Sequence, residues 1–474
     1  MRRGNSGSER DVINTFTSFT DTSDNTFTNR HYTSDNQSFN VGGTLDYGGF
    51  KRLLLGRFNL YRINLRFSQS FNYNRLSDNS VVRDYDSTAK QYNINNNLSN
   101  RNKRELIEYA PSLTLSRNFN KYSDLSNRSL NLQVRLVDEI KKENNSSSFV
   151  KRNLDRSFQF FRWDANAGFQ YSKRQQYDYN MYLNFAQSMQ YPSVDQLYTI
   201  VDDINVYNLR IGNPFLKNST NRSFNLNINF NTRNPKSVYS LNTNISTGYN
   251  MIINPVTDSI INDLSGKRTF YYINGDKNRN LFINYNVNVA RKVNKNSIQL
   301  MYNGNYNAGK YPNYIDGLTN ISETNSLNNQ FNLQYSVRSI LVLNLGKSFQ
   351  HSKSRQTGAG LTSFKNNSSS TRLGVVLNYP ENFAFSSTVD EVSNSNIDKS
   401  IVLWNAFATY RFMKQQAELK FSAMDLLKKY QNISNSVNSF GTTTRITNGL
   451  QQFFLLTFSY FPRKFGGREI KPNR

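Results

Sequence analysis

From Phe224 to Asn231 every second residue is apolar: Phe224, Leu226, Ile228 and Phe230 alternate with Asn225, Asn227, Asn229 and Asn231. A period of two sends successive side chains to opposite faces of a strand, so this segment has one greasy face and one wet face. The rhythm returns along most of the chain, with almost nothing of helical period between its occurrences. A soluble sandwich also has two-faced strands, but it needs a second layer to cover them. Many such strands in succession, with no second layer, predict a sheet closed on itself in a membrane.

Composition fits that expectation and excludes others. The 474 residues contain no linker-like stretch and no change of pattern, which predicts one large domain. Hydrophobic residues make up 37% of the chain and the mean hydropathy is -0.68, lean for a soluble core of this size. No run approaches the ~18 apolar residues that a membrane helix needs. A membrane β-barrel tolerates a hydrophilic average, because each strand shows lipid only alternate residues while lumen and loops stay polar. The 29 Tyr and 34 Phe, against 2 Trp, suit the two interfacial aromatic girdles. Asn is abundant, but many Asn residues fall on the polar phase of alternating strands rather than in disordered tracts. With no Cys there is neither a disulfide framework nor a thiolate metal site. The net charge of +25 raises polyanion binding, yet Lys and Arg are scattered, and no helix-turn-helix, zinc-finger spacing or RNA-binding signature accompanies them. Lumen and rim positions account for these cations without nucleic acid, and rim cations suit outer-membrane lipid and the phosphates of lipopolysaccharide.

Short polar turns and long polar loops alternate along the chain. Phe224–Phe230 turns at Arg233-Asn234-Pro235-Lys236 into Tyr239–Tyr249, where Pro235 presets φ and owes the ladder no donor. Leu281–Val289 turns at Asn294-Lys295-Asn296 into Ile298–Tyr302, and Leu373–Tyr379 turns at Pro380-Glu381-Asn382 into Phe383 and Phe385. Upstream, Tyr61, Ile63, Leu65 and Phe67 alternate with Arg62, Asn64, Arg66 and Ser68, and Trp163–Tyr171 pairs with Tyr179–Phe185. Roughly 16 to 18 membrane-crossing strands are predicted in this way. Short turns belong to the periplasmic end and long loops to the extracellular end, which places about 191–219, 254–266, 311–322, 353–364 and 431–445 outside the cell. Phe454, Leu456, Phe458 and Tyr460 form a last strand that is expected to close against the first and leave no edge.

These segments also resemble a known family, the C-terminal barrel region of the TonB-dependent-receptor-like outer-membrane proteins common in Bacteroidetes. The resemblance rests on Gln190-Tyr191-Pro192-Ser193-Val194-Asp195-Gln196-Leu197, and on Gly212-Asn213-Pro214-Phe215-Leu216-Lys217, similar to the family's GNPxLK. It rests further on Asp425-Leu426-Leu427, similar to DLLN, and on the closing segment from Phe453 to Gly467. Asn218 stands where the family usually has Pro, and Lys428 where it usually has Asn. The resemblance implies nutrient uptake through a 22-stranded barrel, a plug that links it to the TonB system, and a surface lipoprotein partner. No apolar signal segment follows Met1-Arg2-Arg3, and no plug-like segment precedes the strands expected from about residue 36, so the chain is expected to be a fragment of a longer protein. The expected division is a polar N-terminal segment (loop or partial first strand) over 1–35, the barrel over 36–462 and a basic periplasmic tail over 463–474.

Material for catalysis is scarce, and no enzyme activity and no cofactor are expected. His31 and His351 are the only histidines, stand far apart, and are expected in surface loops. Asp202-Asp203 lacks the spaced oxygen donors of a calcium loop, and Gly358-Ala359-Gly360 lacks the strand-to-helix setting of a phosphate loop. Two residue sets are candidates for ligand contact. Tyr191, Tyr198 and Tyr207, with Asp202 and Asp203, belong to the long loop from Pro192 to Pro214 that the resemblance places outside the cell; their rings could stack on a sugar or pack the loop on itself. Arg62, Arg66 and Arg135 are inward cations that would favour anionic solutes. The alternatives to uptake are a plugless structural or passive-diffusion barrel and a basic β-protein that binds polyanions.

Overall fold

The computed structural model describes residues 2–16, 26–57, 61–202, 204–205, 207–264, 267–338, 340–358, 362–395, 400–429, 431–437, 442–461, 464–465 and 468–469. The first half of the chain forms β1 (Arg2–Phe16), β2 (Thr26–Tyr47), β3 (Asn64–Asp86), β4 (Gln91–Ile94), β5 (Asn100–Tyr122), β6 (Ser126–Ser147), β7 (Leu154–Lys173), β8 (Tyr177–Gln190), β9 (Asn208–Ile211) and β10 (Ser219–Thr232). Next come β11 (Tyr239–Ile253), β12 (Val256–Asn262), β13 (Arg268–Asn274), β14 (Lys277–Val293), β15 (Asn296–Ile315), β16 (Leu318–Val337), β17 (Leu341–Gln356) and β18 (Thr362–Leu377). The last are β19 (Phe383–Asn394), β20 (Ile401–Phe412), β21 (Ala417–Met424), β22 (Gln431–Val437), β23 (Thr442–Asn448), β24 (Phe453–Tyr460) and two short arms, β25 (Lys464–Phe465) and β26 (Arg468–Glu469). Among the described residues helix is confined to α1 (Phe50–Leu55), α2 (Val194–Leu197) and a 3-10 turn at Val150–Arg152.

Twenty-two of these strands make one sheet, and β22–β23 a separate hairpin. Four of the 22, β4, β9, β12 and β13, are short strands in the connections. The rest follow one another as an antiparallel meander, each pairing with its neighbours in sequence. The expected hairpins stand: Thr232 and Tyr239, Val293 and Asn296, and Leu377 and Phe383 bound three of the tight turns. The short turns at 123–125, 174–176, 233–238, 294–295, 378–382 and 413–416 lie at one end of the meander, as does the longer connection from β2 to β3. The connections 191–218, 254–276 and 425–452 lie at the other, together with the two-residue turn 316–317 between β15 and β16.

The register sorts side chains onto two faces. Phe185, Phe224, Tyr249 and Leu281 stand directly opposite one another across four consecutive strands, and Leu333, Leu345, Leu373 and Val389 do the same farther along. These apolar rows are open to the surroundings, with Leu345 at 46% exposure and Leu373 at 54%. Conversely, the buried apolar residues among those described are few, among them Val137, Leu197, Ile260 and Ala417. A sheet this large with its greasy side chains outside and almost no apolar interior is arranged for a hydrocarbon solvent.

Three features differ from the sequence expectation. The strands begin at Arg2 rather than near residue 36, and β1 with the start of β2 occupies the segment expected as a loop or partial first strand; Arg3, Asn5, Gly7 and Glu9 on one face and Gly4, Ser6, Ser8 and Arg10 on the other carry no apolar phase, so periodicity cannot show it. The last strand does not close against the first: β24 pairs with β21 and β1 with β2, leaving a free edge on each among the described residues. β1 covers only Thr26–Asn40 of β2, so the apolar stretch Val41–Tyr47 lies beyond its reach. Finally, much of 311–322 and 353–364 is strand, not loop, because β15 to β18 continue as polar ribbons past the apolar rows. His31 and His351 likewise lie in β2 and β17.

Candidate functional site

The polar face of the sheet has two regions of different chemistry. Across β8 to β17, Asn180, Asn229, Asn244, Asn286, Asn303, Gln330 and Ser348 stand opposite one another strand by strand, a row of neutral donors and acceptors. Within it Asn244 donates to Asn229 and Asn286 to Asn303. Carboxamides at cross-strand spacing bond each other and still keep groups free for water or a hydroxylated solute.

Across β5 to β7 the same face is charged. Lys141 lies 3.2 Å from Glu108 and 2.9 Å from Glu139, while Arg162 donates to Asp164 at 2.7 Å. Arg135, Glu139, Lys141, Arg162 and Asp164 line a concavity of about 430 Å³. Arg66, Thr114, Arg135 and Asp164 form one cross-strand row, so two of the three expected cations share a wall. Arg62 does not join them: it sits in the turn before β3 with φ +58°, ahead of the alternating strand. The wall is of mixed sign, its cations interleaved with carboxylates.

At the long-loop end, Glu143 is fully buried and accepts hydrogen bonds from Arg104 (2.5 Å) and Arg156. Two guanidinium groups on one carboxylate satisfy it without water. Tyr191, at the exit of β8, stacks on Phe158 with ring centres 4.7 Å apart, and the cations of Lys141 and Arg156 lie 5.6 and 5.5 Å from its ring centre.

From there the segment Pro192–Pro214 runs back across the polar face as a strap. Ser193 and Gln196 form a reciprocal capping box that starts α2, and Val194 and Leu197 are buried beneath it. Arg156 donates to the Pro192 carbonyl, and Arg152 donates to Asp195 at 2.6 Å and to the Tyr198 carbonyl at 2.9 Å. The strap is then latched to β2: Arg30, itself 6% exposed, donates to Asp202 at 2.7 Å and to Asp84 at 2.6 Å, and the Tyr32 hydroxyl donates to Asp202 at 2.8 Å. Asn14 of β1 donates to the Ile204 carbonyl. Because Arg30 and Tyr32 share a face with Ser38 and Asn40, the latch lies on the polar side of the sheet.

The motif residues close the strap. A Cβ on Gly212 would stand 2.6 Å from the Leu197 carbonyl oxygen, so only glycine allows the two limbs to meet. Asn213 donates its amide N–H to the Gln196 carbonyl and its side chain to the Tyr272 carbonyl, while its Oδ1 accepts from Phe215 ahead of Lys217. β9 adds to β13 in parallel, and Arg210 bonds Asp258 at 3.0 and 3.3 Å. Burial lowers the Arg210 pKa, but hydrogen bonding to Tyr272 and the Asp258 charge more than offset it and hold the value above the ordinary one. Asp425 is buried after β21, where Leu426 donates to the Trp404 carbonyl.

The structure therefore gathers Tyr191, Tyr198 and Asp202 into one strap with Pro192, Gly212, Asn213 and Pro214, but mostly in packing roles. Tyr198 and Gly212, with Arg152, Leu197, Val201 and Pro214, line a cavity of about 570 Å³. The Tyr207 carbonyl accepts from Arg268. Asp203 lies outside the described residues, as do Ala359, Gly360 and most of the basic tail. Sequence reasoning missed Arg30, Arg104, Glu143 and Arg156, because on an alternating strand their charges look like any other polar phase, and Arg152, which stands in a short polar turn.

No protein-family profile matches the chain, and no curated protein does. Among solved structures it is similar to the siderophore receptor PiuA from Acinetobacter baumannii (9% identity, TM-score 0.31, covering 96% of this chain and 81% of that one). It is also similar to the copper transporter OprC (9%, 0.35, 96% and 71%) and the ferric-catecholate import receptor Fiu from E. coli K12 (10%, 0.27, 96% and 80%).

Proposed function

We propose that the chain is an outer-membrane β-barrel that moves solutes across that membrane, as its resemblance to TonB-dependent-receptor-like proteins implies, and that it performs no chemistry on them. The observation that carries this is the meander itself: successive strands with an exposed apolar face and a polar face, most of the tight turns at one end and the longest connections at the other. On this account the polar face is the lumen, the carboxamide row and the mixed-charge wall meet the solute, and the strap of Pro192–Pro214 narrows the long-loop end. Energised uptake would need a plug in the lumen to relay work from the TonB system, with a surface lipoprotein as a further partner at the long-loop end. A passive-diffusion barrel is the second version, favoured by the strap, which lines a polar wall as a size-restricting element would. Conductance across a planar bilayer separates them. Long-lived open steps support diffusion, a silent inserted protein supports plugged uptake, and a chain that stays soluble and ordered in water contradicts both.

A further inference from the structure

Cations on these strands are commonly answered across the ladder by a carboxylate. On the apolar face Lys310 meets Glu323 at 2.6 Å, and on the polar face Arg372 meets Asp390 at 2.5 Å and Arg411 meets Glu418 at 2.9 Å. Lys353 and Lys365 break the rule: they stand directly opposite each other on β17 and β18, both exposed, with no acidic group within ion-pair distance among the described residues. Like charges in that position repel. Arg355, one outward position farther along β17, adds a third exposed cation; it stands opposite Glu323, whose carboxylate is engaged by Lys310 and lies within the field of Lys353 and Arg355.

Below this cluster, on the same outward face, Leu343, Leu345, Leu373, Val375 and Val389 line an apolar groove of about 480 Å³. Between groove and cations, Phe349, His351, Asn367 and Ser369 line a second, more polar hollow of about 420 Å³. At ~3.3 Å per residue, Lys353 lies roughly 13 Å along the strand beyond Phe349, about 10 Å in height at a tilt of ~40°. A lysine or arginine side chain bends back over part of that span, and the headgroup of a lipid covers the rest.

We propose that this face of β16 to β19 holds one phosphate-bearing, acylated lipid, with an acyl chain in the groove and a phosphate between Lys353 and Lys365, assisted by Arg355. The assignment rests on the membrane reading above and adds to it a specific lipid site. Charge complementarity selects the headgroup, because an anion between the two lysines turns a repulsion into two ion pairs. The apolar groove and the hollow on the same outward face below the cation pair select a lipid over free phosphate.

The test uses the full chain reinserted in phosphatidylcholine nanodiscs, with and without a few per cent of diphosphorylated lipid A. Retained lipid is counted by native mass spectrometry, and insertion is checked by migration with and without boiling. The expected result is retention of lipid A by the wild type, weakened roughly thirtyfold in the Lys353→Gln/Lys365→Gln double variant, from the usual contribution of each cation near an anionic surface. Lys310→Gln, whose cation already has a partner, and the charge-preserving Lys353→Arg/Lys365→Arg pair should retain the lipid. An inserted, heat-modifiable double variant that holds lipid A as well as the wild type would overturn the site while leaving the barrel intact. Displacement by an equal concentration of inorganic phosphate would overturn the lipid assignment, and failure of the wild type to insert would overturn both.

Discussion

Glu143 is the residue on which the strap's anchorage converges. It is fully buried, and its carboxylate is the shared partner of Arg104 and Arg156, the second of which also holds the Pro192 carbonyl. Removing one member of a buried ion pair leaves the others uncompensated and costs about 3–5 kcal/mol. Glu143→Gln should therefore lower the denaturant midpoint of the reinserted protein and expose 192–214 to protease before the strands are cut; an unchanged midpoint and cleavage pattern would show that the strap is held elsewhere. At this scale the sequence was partly legible. Gly212 and Asn213 stood out through their resemblance to a motif, and the close approach of Gly212 to Leu197 gives that motif its physical reason. Glu143 did not stand out, since a carboxylate on the polar phase of β6 reads the same whether it meets water or two arginines.

Hairpins whose strands carry an apolar phase, such as β10–β11 and β14–β15, were legible down to their turns. β1 was not, because its partner positions on β2 lie above the apolar rows and nothing in its composition alternates. The polar extension of β15 and β16 was hidden for the same reason, and it has its own lock. Asp316, in the turn between them, accepts from the Asn262 backbone N–H at 2.7 Å and from its side chain at 3.1 Å, tying the tip of β12 to this ribbon. Those two bonds hold the Asp316 carboxyl below its ordinary 3.8. With the folded value depressed, the contact is fully present above 3.8 and is lost as pH falls through the lower folded value. Hydrogen exchange at the Asn262 amide should stay slow down to that point and quicken below it, and Asp316→Asn should abolish the pH dependence. Exchange that quickens instead near neutrality would assign the lock to another group.

At the scale of the whole molecule, the sequence conveyed the kind of solvent the sheet is built for but not how its edges end. Alternation reports which side chains share a face, and that survived intact from Phe185 to Val389. Closure depends on what meets β24 and the lower part of β2, and no local pattern encodes it. The central claim, that the apolar face meets hydrocarbon and the polar face water, is open to direct measurement because the chain has no cysteine. Single cysteines placed one at a time from Leu341 to Gly346 on β17, labelled with a fluorophore and reinserted in vesicles, can be quenched from the lipid by nitroxide acyl chains or from water by iodide. The account predicts strict alternation: Leu341, Leu343 and Leu345 quenched from the lipid, Val342, Asn344 and Gly346 from water. Quenching of all six positions by iodide alone would contradict it, and would return the sheet to aqueous solvent on both faces.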